Sequence, residues 1–497
     1  MPTSIQPPET RKPAPSSAVP PPMPGISEDW LAVWIGLFVF ALSLGTMFRT
    51  DLLGWAVTTS MWTVPAQSLA AASPTYAKLP PLVSLLATYV FLLAMMVIGA
   101  RAMRAHVMRF AQGFTVIFAV SYACWWLGSW AYIAATPDKI HALGIRWSLN
   151  LTNESGFIIA LLAGLAVGNF LPGVSSALKE ALRPELYIKA AIVILGGYLG
   201  IAALSQQRLA STMLFQGLCA IVCAYLIFWP IVYYVARRWF GFSREWAAPL
   251  ASGISICGVS AAIATGSAIK ARAVVPIMVS SLVVIFAVVE LFILPFAAQH
   301  FLFTQPMVAG AWMGLAVKTD GAAVASGAIA DSLVHARAMA AGLRYQAGWT
   351  LGVATTVKVF IDIFIGVWAF ILAWVWSAKI EPGGGKVRLV QIWQRFPKFI
   401  LGYVATFLAV IVVGAAFPSL TPHLKAAMGQ ANIFRAIFFV MTFFAIGAIS
   451  NFRKLWQEGI AKLAAVYALC LFGYIVWVGL LISWLFFHGI VPPAMKG

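Results

Sequence analysis

The chain has 497 residues, is 62% hydrophobic and only 10% charged, and has a mean hydropathy of +0.90. Soluble domains carry roughly 25% charged residues, so this composition excludes a soluble globular protein and predicts a polytopic all-α membrane protein. The net charge of +18 does not imply nucleic acid. Its lysines and arginines crowd beside apolar runs at Arg101–Arg109, Arg237–Arg244 and Lys379–Lys398, as in cytoplasmic loops, and no basic stretch carries a nucleic-acid reading motif.

In chain order, residues 1–28 read as a proline-rich, disordered tail. Residues 29–156 hold three apolar spans, 30–48, 82–100 and 113–135, with a Trp-, Pro-, Ser- and Thr-rich connection at 49–80 expected at the membrane interface. Ten further spans follow, at 157–170, 188–205, 213–236, 248–270, 274–298, 306–327, 346–376, 399–417, 434–452 and 462–488; most reach the ~20 residues a bilayer requires, while the first and fourth are short or weakly apolar and are expected to be tilted or broken. The expected total is about thirteen. These ten divide into five and five, 157–298 and 306–488, the second half containing a basic loop at 377–398. An odd number per half makes the second repeat inverted, a plan used by several transporter folds. The positive-inside rule puts the N-terminus in the cytoplasm of a cell inner (plasma) membrane.

The segment 246–270, WAAPLASGISICGVSAAIATGSAIK, is rich in Gly, Ser, Thr and Ala. Such a stretch serves either close helix packing or an interrupted helix lining a substrate site. Its expected counterpart is 434–452, which loses apolar character at Gly447, Ser450 and Asn451. Charges inside spans are functional by default. Lys318 and Asp320 interrupt a Gly-rich run, Lys358 and Asp362 stand at i and i+4 on one helix face, Glu290 lies in an apolar run, and Lys270 ends the small-residue segment. The Lys358–Asp362 pair reads either as self-neutralising or as an anion-attracting lysine beside a proton-accepting carboxylate. Glu290 reads mainly as structural. The five cysteines, Cys124, Cys219, Cys223, Cys257 and Cys470, show no C-x-x-C or Cys/His ligand spacing, so neither metal nor cofactor is expected. The overlapping sequons at Asn150 and Asn153 carry no weight without a secretory context.

Ser255-Ile256-Cys257-Gly258-Val259-Ser260-Ala261, Ile269-Lys270-Ala271, the Gly310/Gly314/Val317 spacing, Val324-Ala325-Ser326-Gly327, Lys358 and Ala445-Ile446-Gly447 together resemble the YeiH-like family, whose members are named as sulfate exporters. The resemblance runs over roughly 157–490, leaving the first three spans outside. It implies membrane transport of a sulfate-like anion. The chain departs from the family pattern where Lys318 replaces a histidine, Thr319 an acid with Asp320 one step on, Ala322 a glutamine, and Ile361, beside Asp362, a basic residue. The substrate is therefore not carried over from the resemblance.

The expectation is a secondary active transporter, not an enzyme, for a small anion such as sulfate, a related oxyanion or an organosulfonate. Substrate contacts are expected from Ser255, Cys257, Gly258, Ser260, Lys318, Thr319 and Lys358, and proton coupling from Asp320 and Asp362. The partners expected are the anion, the lipid bilayer and a second copy in a homodimer, with no nucleic acid. The competing readings are an anion channel or a carrier of a different organic anion.

Overall fold

The computed structural model describes residues 25–135, 137–140, 143–149, 155–205, 207–272, 274–376, 380, 397–450 and 461–494. The tail before residue 25, the sequons, most of the basic loop 377–398, and Asn451 lie outside them. Among the described residues, ten helices are long and apolar enough to cross a membrane, or eleven if a bent pair counts as one span.

Helix α1 (Glu28–Ser43) opens on Ser27, whose hydroxyl accepts from the Trp30 amide, and continues as a 3-10 turn to Phe48. The connection to α2 (Pro81–Ala102) contains an antiparallel pair, β1 (Val57–Thr59) and β2 (Leu69–Ala71), in the register Val57↔Ala71. Trp62 stacks on Trp126 at 4.4 Å, next to α3 (Val107–Gly128), as interfacial aromatics do. Two short helices, α4 (Ala131–Ala134) and α5 (Pro137–Ile140), lead to α6 (Ser155–Phe170), which bends by 111° into α7 (Pro172–Leu178). Then come α8 (Pro184–Ser205) and α9 (Gln207–Arg238).

Two stretches expected to span instead fold back. Helices α10 (Arg244–Ser255) and α11 (Gly258–Ala268) lie antiparallel: Thr265 Oγ1 donates to Ser252 Oγ at 2.7 Å, and Arg272 pairs with Glu245 at 2.9 Å. Both ends of this hairpin A therefore sit at one membrane face. After α12 (Val274–Phe301), helices α13 (Pro306–Ala316) and α14 (Asp320–Ala340) make hairpin B. Ser326 Oγ lies 2.8 Å from Met313 Sδ, and the Arg337 guanidinium stacks over Phe303 at 4.9 Å, just before the hairpin begins. The two hairpins are separated by one full crossing, α12, so they enter from opposite faces.

The remaining helices are α15 (Trp349–Ile363) and α16 (Ile365–Val375), which form one kinked crossing, α17 (Phe399–Ala416), α18 (Thr421–Ile449), and α19 (Ala461–Cys470) joined through a π turn to α20 (Val476–Phe487). Helix α18 corrects an expectation. It is continuous through Ile449, so the described part of 434–452, up to Ser450, is not an interrupted counterpart. Its small residues serve packing: a Cβ on Gly447 would stand 2.4 Å from the Leu161 carbonyl oxygen, and one on Gly164 2.1 Å from that of Phe444. Small residues let helix backbones touch in membranes. Gly310 and Gly314 do the same for α13 against Thr350 and Ala354 of α15.

The helices form two groups. One holds α1–α3, α6–α8, α17 and α18; the other holds α9, both hairpins, α12, α15–α16 and α19–α20. Helix α8 runs along the seam. Its Thr406-side face touches α17 through the Val193 carbonyl, which accepts from Thr406 Oγ1 at 2.7 Å. On the other side Ile188 lies 3.4 Å from where a Cβ on Gly321 of α14 would be, and Leu199 3.2 Å from one on Gly352 of α15. At the start of α8, Lys189 bridges Asp29 at 2.9 Å and Glu185 at 3.3 Å, and Arg183 pairs with Glu28.

Candidate functional site

The tips of the two hairpins meet. Hairpin A turns at Ile256 and Cys257, whose φ/ψ values of −106/−87° and −142/105° are not helical. Hairpin B turns through Val317 to Thr319, with extended backbone at both. The Gly258 amide donates to the Lys318 carbonyl at 2.5 Å, joining the tips. Only glycine fits at 258, because a Cβ would lie 2.1 Å from Val283 Cγ1 of α12 and 3.2 Å from the Lys318 carbonyl oxygen. Non-helical backbone at this depth is tolerated because protein, not lipid, surrounds it.

Each second arm begins at this junction and each first arm ends there. The positive ends of α11 and α14 and the negative ends of α10 and α13 thus converge. Thr319 caps α14, its hydroxyl accepting from the Ala322 amide at 3.0 Å, and Asp320 occupies the first turn, where the dipole favours a carboxylate.

Lys358 holds the junction from α15. Its Nζ donates to the Ile256 carbonyl at 3.2 Å and the Lys318 carbonyl at 3.3 Å, and stands 3.7 Å from Asp320 Oδ1. The Ile256 carbonyl left bare would cost about 1–3 kcal/mol, and the Lys318 carbonyl, which already accepts from Gly258, gains a second donor, so the lysine braces both turns at once. The i,i+4 pair expected between Lys358 and Asp362 is replaced by this arrangement: the long side chain reaches from α15 to the tips of both hairpins. Cys257 Sγ donates to Asp320 Oδ1. The ligand atoms of Cys257, Asp320 and Asp362 lie within 4.8 Å of one another, yet neither Asp362 oxygen has a hydrogen-bond partner of normal geometry. Lys318, Asp320, Lys358, Asp362 and Glu290 are 0–2% exposed.

Lys318 contributes mainly its backbone to the junction. Its side chain turns back, Nζ donating to the Leu315 carbonyl and lying 5.1 Å from the centre of the Phe228 ring. Its amide is 3.4 Å from Glu290 Oε2 on α12. Ser255 is buried beside the turn with its hydroxyl unpartnered, and Ser260 is half-buried one turn into α11. Lys270 is exposed, at a φ of 55°, by the root of hairpin A and is not part of the junction.

Two participants escaped the sequence reading. Glu290, taken there as structural, faces the junction with Oε1 unpartnered; its position within an apolar span was the available signal. Tyr225 on α9 donates its hydroxyl to the Ile361 carbonyl at 2.6 Å, beside the kink at Phe364. A tyrosine in an apolar helix carries no such signal. In total, three carboxyls and two ammonium groups are buried around the junction. Burying ions costs several kcal/mol each unless they are paired; with both lysines charged, this set is neutral when one carboxyl keeps a proton.

The family model described as conserved hypothetical protein 698 matches residues 112–466. It begins within α3, earlier than the resemblance drawn from motifs alone. A UPF0324 membrane protein of Nitrosomonas europaea is 40% identical over 475 residues, covering 94% of this chain and 97% of that one, which brings the three N-terminal helices inside the similarity. A UPF0324 membrane protein of Rhodopirellula baltica is 30% identical over 359 residues, 70% of this chain and 58% of its own length. An uncharacterized protein of Archaeoglobus fulgidus is 48% identical over 164 residues, 29% of this chain and 88% of its own. No solved structure matches the chain. With the family model matched over most of its length and a relative similar almost end to end, the chain belongs to the UPF0324 membrane protein family.

Proposed function

We propose that this protein is a secondary active transporter that moves a small anion together with protons across the cell's inner membrane, its N-terminus in the cytoplasm. The observation that carries this reading is the junction of two opposed re-entrant hairpins, tip to tip, around buried lysines and carboxyls. Secondary transporters build substrate and coupling sites from broken helices of this kind. The helix N-termini at Gly258 and Asp320 and the unpartnered Ser255 hydroxyl suit an anion. The odd proton among three carboxyls and two ammonium groups suits proton coupling. The YeiH-like resemblance adds sulfate and its relatives as the first substrates to try.

A channel needs a continuous pore with selectivity rings. The tip-to-tip hydrogen bond of Gly258 with Lys318 blocks the axis between the hairpins and favours a carrier. The orientation follows from basic residues gathered at one face: Arg101 and Arg104 after α2, Arg183 before α8, Arg237 and Arg238 ending α9, and Lys270 and Arg272 at the root of hairpin A.

The test is uptake into proteoliposomes of labelled sulfate and a panel of oxyanions and organosulfonates, with and without an inward proton gradient. Saturable uptake, accelerated by the gradient and by counterflow, is expected. Unitary currents would replace the carrier with a channel, and no uptake of any anion would remove the anion reading.

A further inference from the structure

The hydrogen-bond and ion-pair partners of the Lys358 ammonium are three oxygen atoms. Two are main-chain carbonyls from unwound hairpin tips, Ile256 at 3.2 Å and Lys318 at 3.3 Å, and one is a carboxylate oxygen, Asp320 Oδ1 at 3.7 Å. Hard cations take an oxygen shell of this kind, and in transporters unwound carbonyls at half-helix ends are what coordinate Na⁺. A second observation is independent of the lysine. Asp362 is wholly buried, and its oxygens lie against Asp320 and Cys257 without a hydrogen bond of normal geometry to either. A carboxyl in that position has oxygen valence left for a cation.

We propose that the Lys358 ammonium is a tethered substitute for an alkali cation, so that the protein is indifferent to Na⁺ and carries a latent Na⁺ site formed by the Ile256 and Lys318 carbonyls, Asp320 and Asp362. A lysine fixed to α15 cannot exchange with solvent, so it supplies a permanent charge where a bound ion would supply a removable one. The groups facing this point are Cys257 from hairpin A, Lys318 and Asp320 from hairpin B, Asp362 from α15, Glu290 from α12 and Tyr225 from α9. With both lysines fixed, the charge left free to vary is the proton shared among the carboxyls. Removing the ammonium bares the Ile256 carbonyl, frees the second lone pair of the Lys318 carbonyl, which still accepts from Gly258, and leaves the Asp320 and Asp362 carboxyls facing the same small space. A Na⁺ or Li⁺ ion restores the lost charge there and satisfies the same oxygens.

The statement about the driving ion rests on the transporter reading; the ion-binding statement does not. The purified full-length chain in detergent is measured for ²²Na⁺ binding and for melting temperature in NaCl, LiCl and choline chloride at constant ionic strength. Wild type is expected to show no saturable ²²Na⁺ binding and the same melting temperature in all three salts. Lys358→Ala is expected to gain saturable binding near one ion per chain and a melting temperature that rises with Na⁺ or Li⁺ but not choline. Adding Asp320→Asn should remove both gains. Saturable Na⁺ binding by wild type overturns the proposal. So does a monodisperse Lys358→Ala with no response to either ion, and so does a Lys358→Ala that fails to fold equally in all three salts, because a usable site would rescue it. Binding is read without substrate, so its failure leaves anion transport standing, and absence of uptake in vesicles leaves the binding result intact.

Discussion

Replacing Gly258 by alanine tests the tip-to-tip junction directly. In a free helix the change would help, since Ala is better than Gly by about 1 kcal/mol in helix propensity. Here the added Cβ would lie 2.1 Å from Val283 Cγ1 and 3.2 Å from the Lys318 carbonyl oxygen. Valine is stiff at χ1, so the methyl cannot swing aside and α12 must move from the hairpin tip. Overpacking of this kind costs about 1–3 kcal/mol, and stretching the Gly258–Lys318 hydrogen bond forfeits about 0.5–1.5 kcal/mol. Set against the propensity gain, the net expectation is a destabilisation of roughly 1–3 kcal/mol. The assay is reversible unfolding of the solubilised protein for wild type, Gly258→Ala, Val283→Ala and the double variant. Val283→Ala removes the clashing methyl, so its own cost should shrink in the Gly258→Ala background, with a coupling energy of at least about 1 kcal/mol. A Gly258→Ala protein as stable as wild type, or strictly additive effects, would refute the packing argument.

Asp362→Asn should abolish the response of uptake to a proton gradient while anion counterflow persists; uptake that still concentrates anion under the gradient makes Asp362 structural only. Gly447→Val drives a side chain into backbone atoms, with its Cβ 2.4 Å from the Leu161 carbonyl oxygen and 2.6 Å from the Leu165 nitrogen. It should destabilise by about 1–3 kcal/mol or more and lower the melting temperature without altering the KM for the anion. At the root of hairpin A, hydrogen bonds from Arg272 hold the Glu245 carboxyl below its usual range. A depressed folded value gives stability that is present above the unfolded value of about 4.3 and is lost as pH falls through the folded one. The melting temperature of wild type should therefore drop below that pH more steeply than that of Glu245→Gln; parallel acid limbs count against the ion pair.

Much of the architecture is legible in hydropathy. Helices such as α2, α3 and α15–α16 are apolar over lengths that need a bilayer, and Gly258 with its small neighbours marks a break. The fold-back is not legible. Hairpin A has 12- and 11-residue arms, each about 17 Å long at about 1.5 Å per residue, and together they have the length of one interrupted span. Only tertiary contacts such as Thr265 with Ser252 separate the two cases. The error is doubled in hairpin B and so cancels: two spans become two hairpins, and each remaining connection keeps its expected side. Gly447 and Ser450 misled because helix contacts and helix breaks draw on the same small residues. The charges were found by rule, but their pairing was not. The i,i+4 spacing of Lys358 and Asp362 is a local signal, and two unwound carbonyls on distant segments outcompete it.

The register of α8 has a consequence for the height of the junction in the bilayer. Ile188, one turn from the start of α8, lies beside Gly321 at the tip of hairpin B. The junction is therefore level with the charged starts of α1 and α8, where Asp29, Glu185 and Lys189 gather. Yet below Asp362 the α15–α16 crossing runs on to Val375, about 20 Å further at about 1.5 Å per residue. Along the axis of α8 the hairpin group is thus offset toward the end where α1 and α8 begin. Raising it along α8 to bring the two apolar belts level would lift the junction away from that charged ring toward the opposite face. The seam offers glycines, Gly321 and Gly352, to the side chains of Ile188 and Leu199, a smooth track for sliding one group past the other, the motion that the proposed carrier needs.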